Sequence, residues 1–377
     1  MKAEIIEGCL MLLSEIKDNN IMSFKTPVTI SENNLNLKRC DIKLLGKFIA
    51  NLQSKTGEIP WHEKGKTDPW DLVESAMGLS VSGLYSEARL AFKWMKQNQN
   101  QDGSWYSSYK NGIPEDKTCE TNMSSYIATG LFHFWLITKD TEFLRAMWRP
   151  LQKGINFALS LQTSRGEVFW AKSPEGVVDP MALLTGSSSI LMSLKCAITI
   201  GFVLGEEKEL GVWQSAFTKL EATIKNQIHI YNISKSRYSM YWFYPVLSGA
   251  VTGMDAEKRI LKYWDKYVVK GKGVKCVSDH PWITMAETAE LVLSLEAAGK
   301  LELAEQVFSW IQNCIYDDKT FWCGYTFPDN TIWPCQKVSW TNAAVMLAGD
   351  ALYSFTPGSN LFSHKQWDGF IYKGLAK

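Results

Sequence analysis

Residues 120–158 read ETNMSSYIATGLFHFWLITKDTEFLRAMWRPLQKGINFA and hold two unlike helices joined by a tight turn. Over the first, to about residue 137, apolar and small residues run nearly all round, so no face is left for water and the helix belongs in an interior. In the second, Leu144, Met147, Leu151, Ile155 and Ala158 recur at helical spacing on one face, and the other face is wet. Only Thr138 and Lys139 separate them.

The same alternation extends in both directions. One-sided helices are marked by Ile42, Leu45, Ile49 and Leu52, by Leu210, Trp213, Phe217, Leu220 and Ile224, and by Ala304, Val307, Phe308 and Ile311. Segments near 86–98 and 255–268 complete that set, and two-sided helices lie near 69–83, 181–203, 239–252, 282–298 and 337–354. Six of each in strict order predict an all-α fold, an (α/α)6 toroid whose inner ring of six helices is wrapped by six outer ones. The turns from inner to outer helix are short and mostly carry glycine (Gly83, Gly205, Gly253, Gly299), as suits a left-handed helix end. The returns from outer to inner helix take about 12–25 residues rich in Trp, Tyr, Asp and Glu. Long loops gathered on one face make that face the expected functional mouth. The organisation read from this is a lead-in over 1–40 with a helix near 3–17 and a polar stretch at 33–36, a toroid domain over 41–355, and a tail over 356–377.

Of the 377 residues 46 % are apolar, ample for a large core, and the net charge is +1 with both signs interspersed. No basic stripe points to nucleic acid, and no cationic amphipathic helix to a membrane surface. The eight cysteines (9, 40, 119, 196, 276, 314, 323 and 335) show no CxxC and no zinc-finger spacing, and read as free thiols of a reducing compartment. Residues 8–13 are apolar but flanked by Glu7 and Glu15, a poor signal peptide, and no run approaches the roughly 18–20 apolar residues of a membrane span. A cytoplasmic protein is expected. Sixteen tryptophans suit either a large core or a site for sugars, isoprenoids or other apolar ligands.

Several outer helices end alike. Gln53-x3-Gly57 leads to Trp61, Gln99-x3-Gly103-x-Trp105 follows Phe92 and Trp94, and Gln162-x3-Gly166 leads to Trp170; Gln312 reaches Trp322 without the glycine. The segment 96–105 resembles the QW repeat of squalene–hopene cyclases, and the chain from about 40 to 355 resembles the terpenoid-cyclase and protein-prenyltransferase superfamily. A bacterial family labelled prenyltransferase is similar through Asp68-Pro-Trp-Asp-Leu-Val-Glu74, Glu120-Thr-Asn122, Ser236-Arg-Tyr238, Cys276-Val-Ser-Asp279 and Trp322-Cys-Gly-Tyr325. That resemblance implies acid-initiated chemistry on an isoprenoid-like substrate. Departures are plain: there is no Asp-x-Asp-Asp acid motif and no Asp-rich magnesium motif, and Cys276, Asp279 and His280 do not have prenyltransferase zinc spacing. Thr138-Lys-Asp140-Thr-Glu-Phe-Leu144 in turn resembles a turn of six-hairpin glycosidases, which implies two carboxylates across an aromatic groove.

The mouth supplies acids for either chemistry. Asp68 before Pro69 has the form of a helix cap, and so does Asp179 before Pro180. Asp71 could close a capping box or act. Glu74, one turn deeper on a buried helix, has no capping role, and a carboxylate there must be paired, protonated or functional. The catalytic candidates are Asp71, Glu74, Glu120, Asp279 and Glu287, the last one turn from Glu290, with one of that pair a structural partner for Arg237. Substrate-binding candidates are Trp70, Trp105, Tyr109, Asn122, Arg237, Tyr238, Trp242, Tyr244, Trp282, Trp322 and Tyr325. His133 reads as a core histidine. No metal and no cofactor are expected. The first functional reading is the isoprenoid enzyme, the alternative a two-carboxylate glycosidase, and the third a toroid that only binds its ligand; the partner is a small molecule, isoprenoid or carbohydrate.

Overall fold

The computed structural model describes residues 41–368; the helix expected near 3–17 and the polar stretch at 33–36 lie outside the described residues. In chain order the helices are α1 (Ile42–Leu52), α2 (Pro69–Val81), α3 (Tyr85–Gln97), α4 (Thr121–Ser125), α5 (Ile127–Thr138), α6 (Thr141–Ser160) and α7 (Leu184–Leu204). They continue as α8 (Leu210–Asn226), α9 (Ser239–Leu247), α10 (Gly253–Tyr267), α11 (Met285–Ala297), α12 (Leu301–Ile311), α13 (Ser339–Tyr353) and the short α14 (His364–Trp367). Helix α2 packs on α4 and α5, these on α7, α7 on α9, α9 on α11, α11 on α13, and α13 returns to α2. The inner ring therefore closes. The one-sided helices α1, α3, α6, α8, α10 and α12 each pack on it from outside. Helix α7 is long and apolar enough to cross a membrane, but its length lies buried among its neighbours in the ring.

Each short inner-to-outer turn has a left-handed residue: Gly83, Lys139, Gly205, Gly253 and Gly299 all have φ between 55° and 82°. Asp140 caps α6 through the Phe143 amide at 2.9 Å and pairs with Arg89 at 2.6 Å. The shared Gln-x3-Gly ends have a packing cause. The side-chain amides of Gln53, Gln99 and Gln162 each donate to two carbonyls, one in the loop (Gly57, Gly103, Gly166) and one on the next outer helix (Glu87, Pro150, Ala216), at 2.8–3.2 Å. At Gly57, Gly103 and Gly166 a Cβ would lie 2.2–2.6 Å from a carbonyl oxygen of that neighbouring helix. The repeat is a staple between outer helices.

Short strands fill the long connections, which an all-helical reading omits. They are the hairpin β1 (Ser108–Lys110) and β2 (Ile113–Asp116), the sheet β3 (Cys119–Glu120), β4 (Phe169–Lys172) and β5 (Val178–Ala182), and the sheet β6 (Val268–Val269), β7 (Gly273–Lys275), β8 (Trp282–Thr284) and β9 (Gly324–Thr326). All pairings are antiparallel. At two to five residues each, they are too short to show a strand period. Asp179 and Pro180 fall inside β5, so Asp179 is not a helix cap; it accepts from the Met181 amide at 3.0 Å and α7 begins only at Leu184. Beyond α13 the chain folds back onto the ring, with Phe362 and Trp367 buried and Trp367 5.8 Å from the ring of Phe132.

Candidate active site

The inner helices start at the mouth, so their first turns line it. Asp68 caps α2: one carboxylate oxygen accepts from the Asp71 amide at 2.9 Å, the other from the Trp61 indole at 2.7 Å. Pro69 then occupies the first helical position. This fixes Asp71 at the third position of α2 and Glu74 at the sixth, one turn apart on the same face. Helix α11 repeats the arrangement with Glu287 third and Glu290 sixth. The four carboxyls share a cavity of about 270 Å³ with Trp70, Asn122, Leu183, Thr185, Gly186, Met240, Ala286 and Trp340. Beneath it lies a void of about 20 Å³, room for one water, where Glu74 and Glu290 meet Tyr126, Tyr244 and Ser189.

Among the described residues no lysine or arginine forms an ion pair with any of the four. Burial raises Asp71 well above the usual carboxylate range, and the charges of Asp68 and Glu74 push the same way. Burial lifts Glu74 to about 8, helped by Asp68 and Glu287. Glu290 is raised by burial and by Glu74 and Glu287, although the Tyr244 hydroxyl donates to it. Three polar atoms of wall residues, Oε2 of Glu287, Oδ1 of Asn122 and Nε1 of Trp340, are buried without a hydrogen-bond partner. Buried polar atoms are rarely left so, and these three are open positions for a ligand or water.

The remaining sequence candidates part company with the cavity. Glu120 accepts from Ser107 Oγ at 3.1 Å and the Trp170 indole at 2.8 Å, which ties β3 to its neighbours, and burial raises its pKa. Asp279 is exposed and forms a 2.9 Å ion pair with Arg237, so neither ring acid of α11 pairs with that arginine. Burial, and then Glu287 beside it, push the Cys276 thiol up; Asp279 and His280 meet at 3.1 Å, but the cysteine does not join them in a metal-ligand cluster. Trp105 and Tyr109 are core residues, the indole donating to Met95 O at 2.7 Å. Trp242 is buried too, stacked on Tyr267 and donating to Arg259 O. Tyr238 is exposed, Trp282 and Trp322 are half-buried and Tyr325 is buried in the core; none of the four lines the cavity. His133 is buried and its pKa is depressed to about 3 by desolvation. Trp70, Asn122 and Tyr244 do reach the two chambers. Sequence reading passed over Trp340, Met240, Leu183 and Thr185, each at or near the start of an inner helix as Trp70 is; that shared position is the signal that would have found them.

The family follows from a relative of known activity. The chain is 42 % identical over 314 residues to the MMP endo-(1,4)-3-O-methyl-alpha-D-mannosidase of Mycolicibacterium hassiacum, covering 83 % of this chain and 86 % of that one. This chain belongs to that mannosidase's family. No protein-family model matches it. Among solved structures a glycosidase aligns with a TM-score of 0.66 at 12 % identity, over 87 % of this chain and all of the other. A D-mannose isomerase aligns at 0.65 and 11 % identity, over 88 % and 100 % of the two chains. These distant likenesses show the α/α-toroid fold. The membership overturns the isoprenoid reading: the kinship is with a mannosidase, not with cyclases or prenyltransferases, and the Gln-x3-Gly repeats that suggested cyclases are outer-ring staples. The two-carboxylate glycosidase alternative is the one the relative supports.

Proposed function

We propose that this protein is an endo-acting glycoside hydrolase that cleaves (1,4) linkages between 3-O-methyl-α-D-mannose residues. The observation that carries the reading is the cavity in which two inner helices present four carboxyls with no ion-pairing cation, in a chain 42 % identical to a mannosidase. Glycoside hydrolysis needs one carboxyl that keeps its proton near neutrality and one that can take a proton from water. Asp71, held protonated by burial beside Asp68 and Glu74, suits the donor. Glu287, with an unpartnered buried oxygen in the cavity wall, suits the base. In this scheme Asp71 gives its proton to the glycosidic oxygen and the C1–O bond breaks. Water adds to C1 and yields a proton to Glu287, so each cleavage consumes one water. Glu74 and Glu290, deeper in the ring, stay protonated and add no charge against the departing sugar. Trp70, Leu183, Met240, Ala286 and Trp340 make much of the remaining wall apolar, which favours a sugar whose 3-hydroxyl is capped by a methyl group.

The test is to incubate the purified protein with (1,4)-linked 3-O-methylmannose oligosaccharides, and separately with unmethylated ones, and to weigh the products by mass spectrometry. Internal fragments from the methylated series, formed faster than from the unmethylated one, are expected. No cleavage of either series would reject the proposal.

A further inference from the structure

An endo-acting enzyme must hold its chain on both sides of the cut, and the cavity has room for only part of it. We propose that the indole face of Trp333, on the rim, is a stacking platform for a sugar of the same glycan chain outside the cavity. This rests on the glycan-cleaving reading above. Trp333 is 56 % exposed, whereas large aromatic rings usually hide. Its backbone is nevertheless fixed. The Trp333 amide donates to Gly324 O at 2.9 Å, and its carbonyl accepts from the Trp282 indole at 2.7 Å. The two rings meet edge to face at 5.0 Å, leaving the Trp333 ring braced on one side. A large apolar surface held rigid in water loses little entropy on binding, which is the property of a preformed contact.

The position connects the ring to the acids. Gly324 of β9 pairs with Thr284 of β8, and Thr284 is followed by Met285, Ala286 and Glu287 of α11. Trp333 is thus two strand spacings, roughly 10 Å, from the strand that delivers Glu287. Seven residues further along, Trp340 lines the cavity itself. The apolar face of a pyranose, broadened by a 3-O-methyl group, is the chemistry such a ring recognises.

The experiment is a chain-length series of (1,4)-linked 3-O-methylmannose oligosaccharides assayed with the wild-type protein, Trp333→Ala and Trp333→Phe. The platform predicts a loss in kcat/KM for Trp333→Ala that grows with length to about fivefold to tenfold, the yield of one aromatic contact. It should be carried by KM, with Trp333→Phe recovering most of it. A loss equal at every length, or none at any, would overturn the platform while leaving the hydrolase reading intact. If the wild-type protein cleaves no member of the series, the hydrolase reading fails, and calorimetric titration with the same oligosaccharides decides the platform alone. Binding that tightens with length and weakens in Trp333→Ala supports it; binding indifferent to Trp333, or no binding, overturns it.

Discussion

Helices α2 and α11 carry the same device, a carboxyl at the third position and another at the sixth, yet they surround it differently. On α2 the preceding Asp68 caps the helix and adds a third negative charge beside Asp71 and Glu74. On α11 the preceding residue is Thr284, the end of β8, which makes no side-chain cap and adds no charge. Burial first, and then these like charges, push the α2 acids toward the protonated form. Of the α11 acids, the deeper is pushed the same way by burial, Glu74 and Glu287 although Tyr244 donates to it, and the outer keeps an unpartnered oxygen. In the proposed mechanism, one spacing in sequence serves as proton donor on one helix and as base on the other. The neighbours make the difference.

The division of labour is open to direct attack. Asp71→Asn and Glu287→Gln should each lower kcat by about 10²–10⁴, the usual contribution of a general acid or base, while thermal unfolding stays at or above the wild-type midpoint because a buried ionisable group is removed. A substrate with an acidic phenol as leaving group should restore turnover to Asp71→Asn, since that leaving group needs no proton, and should leave Glu287→Gln inactive. Restoration of both, or of Glu287→Gln alone, would reverse the assignment.

The deeper pair offers a smaller effect. Tyr244→Phe removes the hydroxyl that Glu290 accepts from, and a buried carboxyl without that donor costs about 1–3 kcal/mol of stability, read as a lower midpoint in urea with kcat changed far less than by Asp71→Asn.

The pH dependence sharpens the account of α2. Glu74 binds its proton in the folded state up to about pH 8 but in the unfolded chain only to about 4.5. Between those values the folded state holds more protons, so the contribution of Glu74 to stability is greatest below about pH 4.5 and is lost as pH rises toward 8. Asp350, lifted to about 7 by burial, works in the same direction, and His133, depressed to about 3, in the opposite one. The difference between wild type and Glu74→Gln removes these shared terms. The variant should lose less stability between pH 5 and 8 than the wild type. An identical slope would show that Glu74 is not protonated in the folded protein.

How much of this was legible beforehand depends on the length of the signal. The ring could be read because six inner helices lack a wet face and six outer ones show one, each over the several turns that nine to twenty-one residues provide. The sheets could not, since strands of two to five residues carry no period, and Asp179 was misread as a helix cap for that reason. Asp71, Glu74 and Glu287 were visible as acids in apolar helices, where burial makes an acid conspicuous. Asp279 looked alike in sequence, beside a proline and a tryptophan, but lies in a loop where Arg237 draws it to the surface. The Gln-x3-Gly ends were legible as a repeat and misleading as to chemistry. They record the close approach of outer helices, a demand of the fold and not of any substrate.

The smallest expected effect on turnover concerns the cap. Asparagine can still accept from the Asp71 amide, but its amide nitrogen cannot accept from the Trp61 indole as the second carboxylate oxygen does, so Asp68→Asn should cost about 1–3 kcal/mol of stability. It removes one of the charges that raise Asp71 and Glu74, and the alkaline limb of kcat/KM should therefore move to lower pH. An unmoved limb would mean that Asp68 does not tune the donor.

The most direct trial of the central claim is a side-by-side time course on one methylated (1,4)-mannose oligosaccharide, labelled at its reducing end, with wild type, Asp71→Asn and Glu287→Gln. The account predicts internal cleavage by the wild type and its near-complete loss in both folded variants. Cleavage at the wild-type rate by either variant would contradict it.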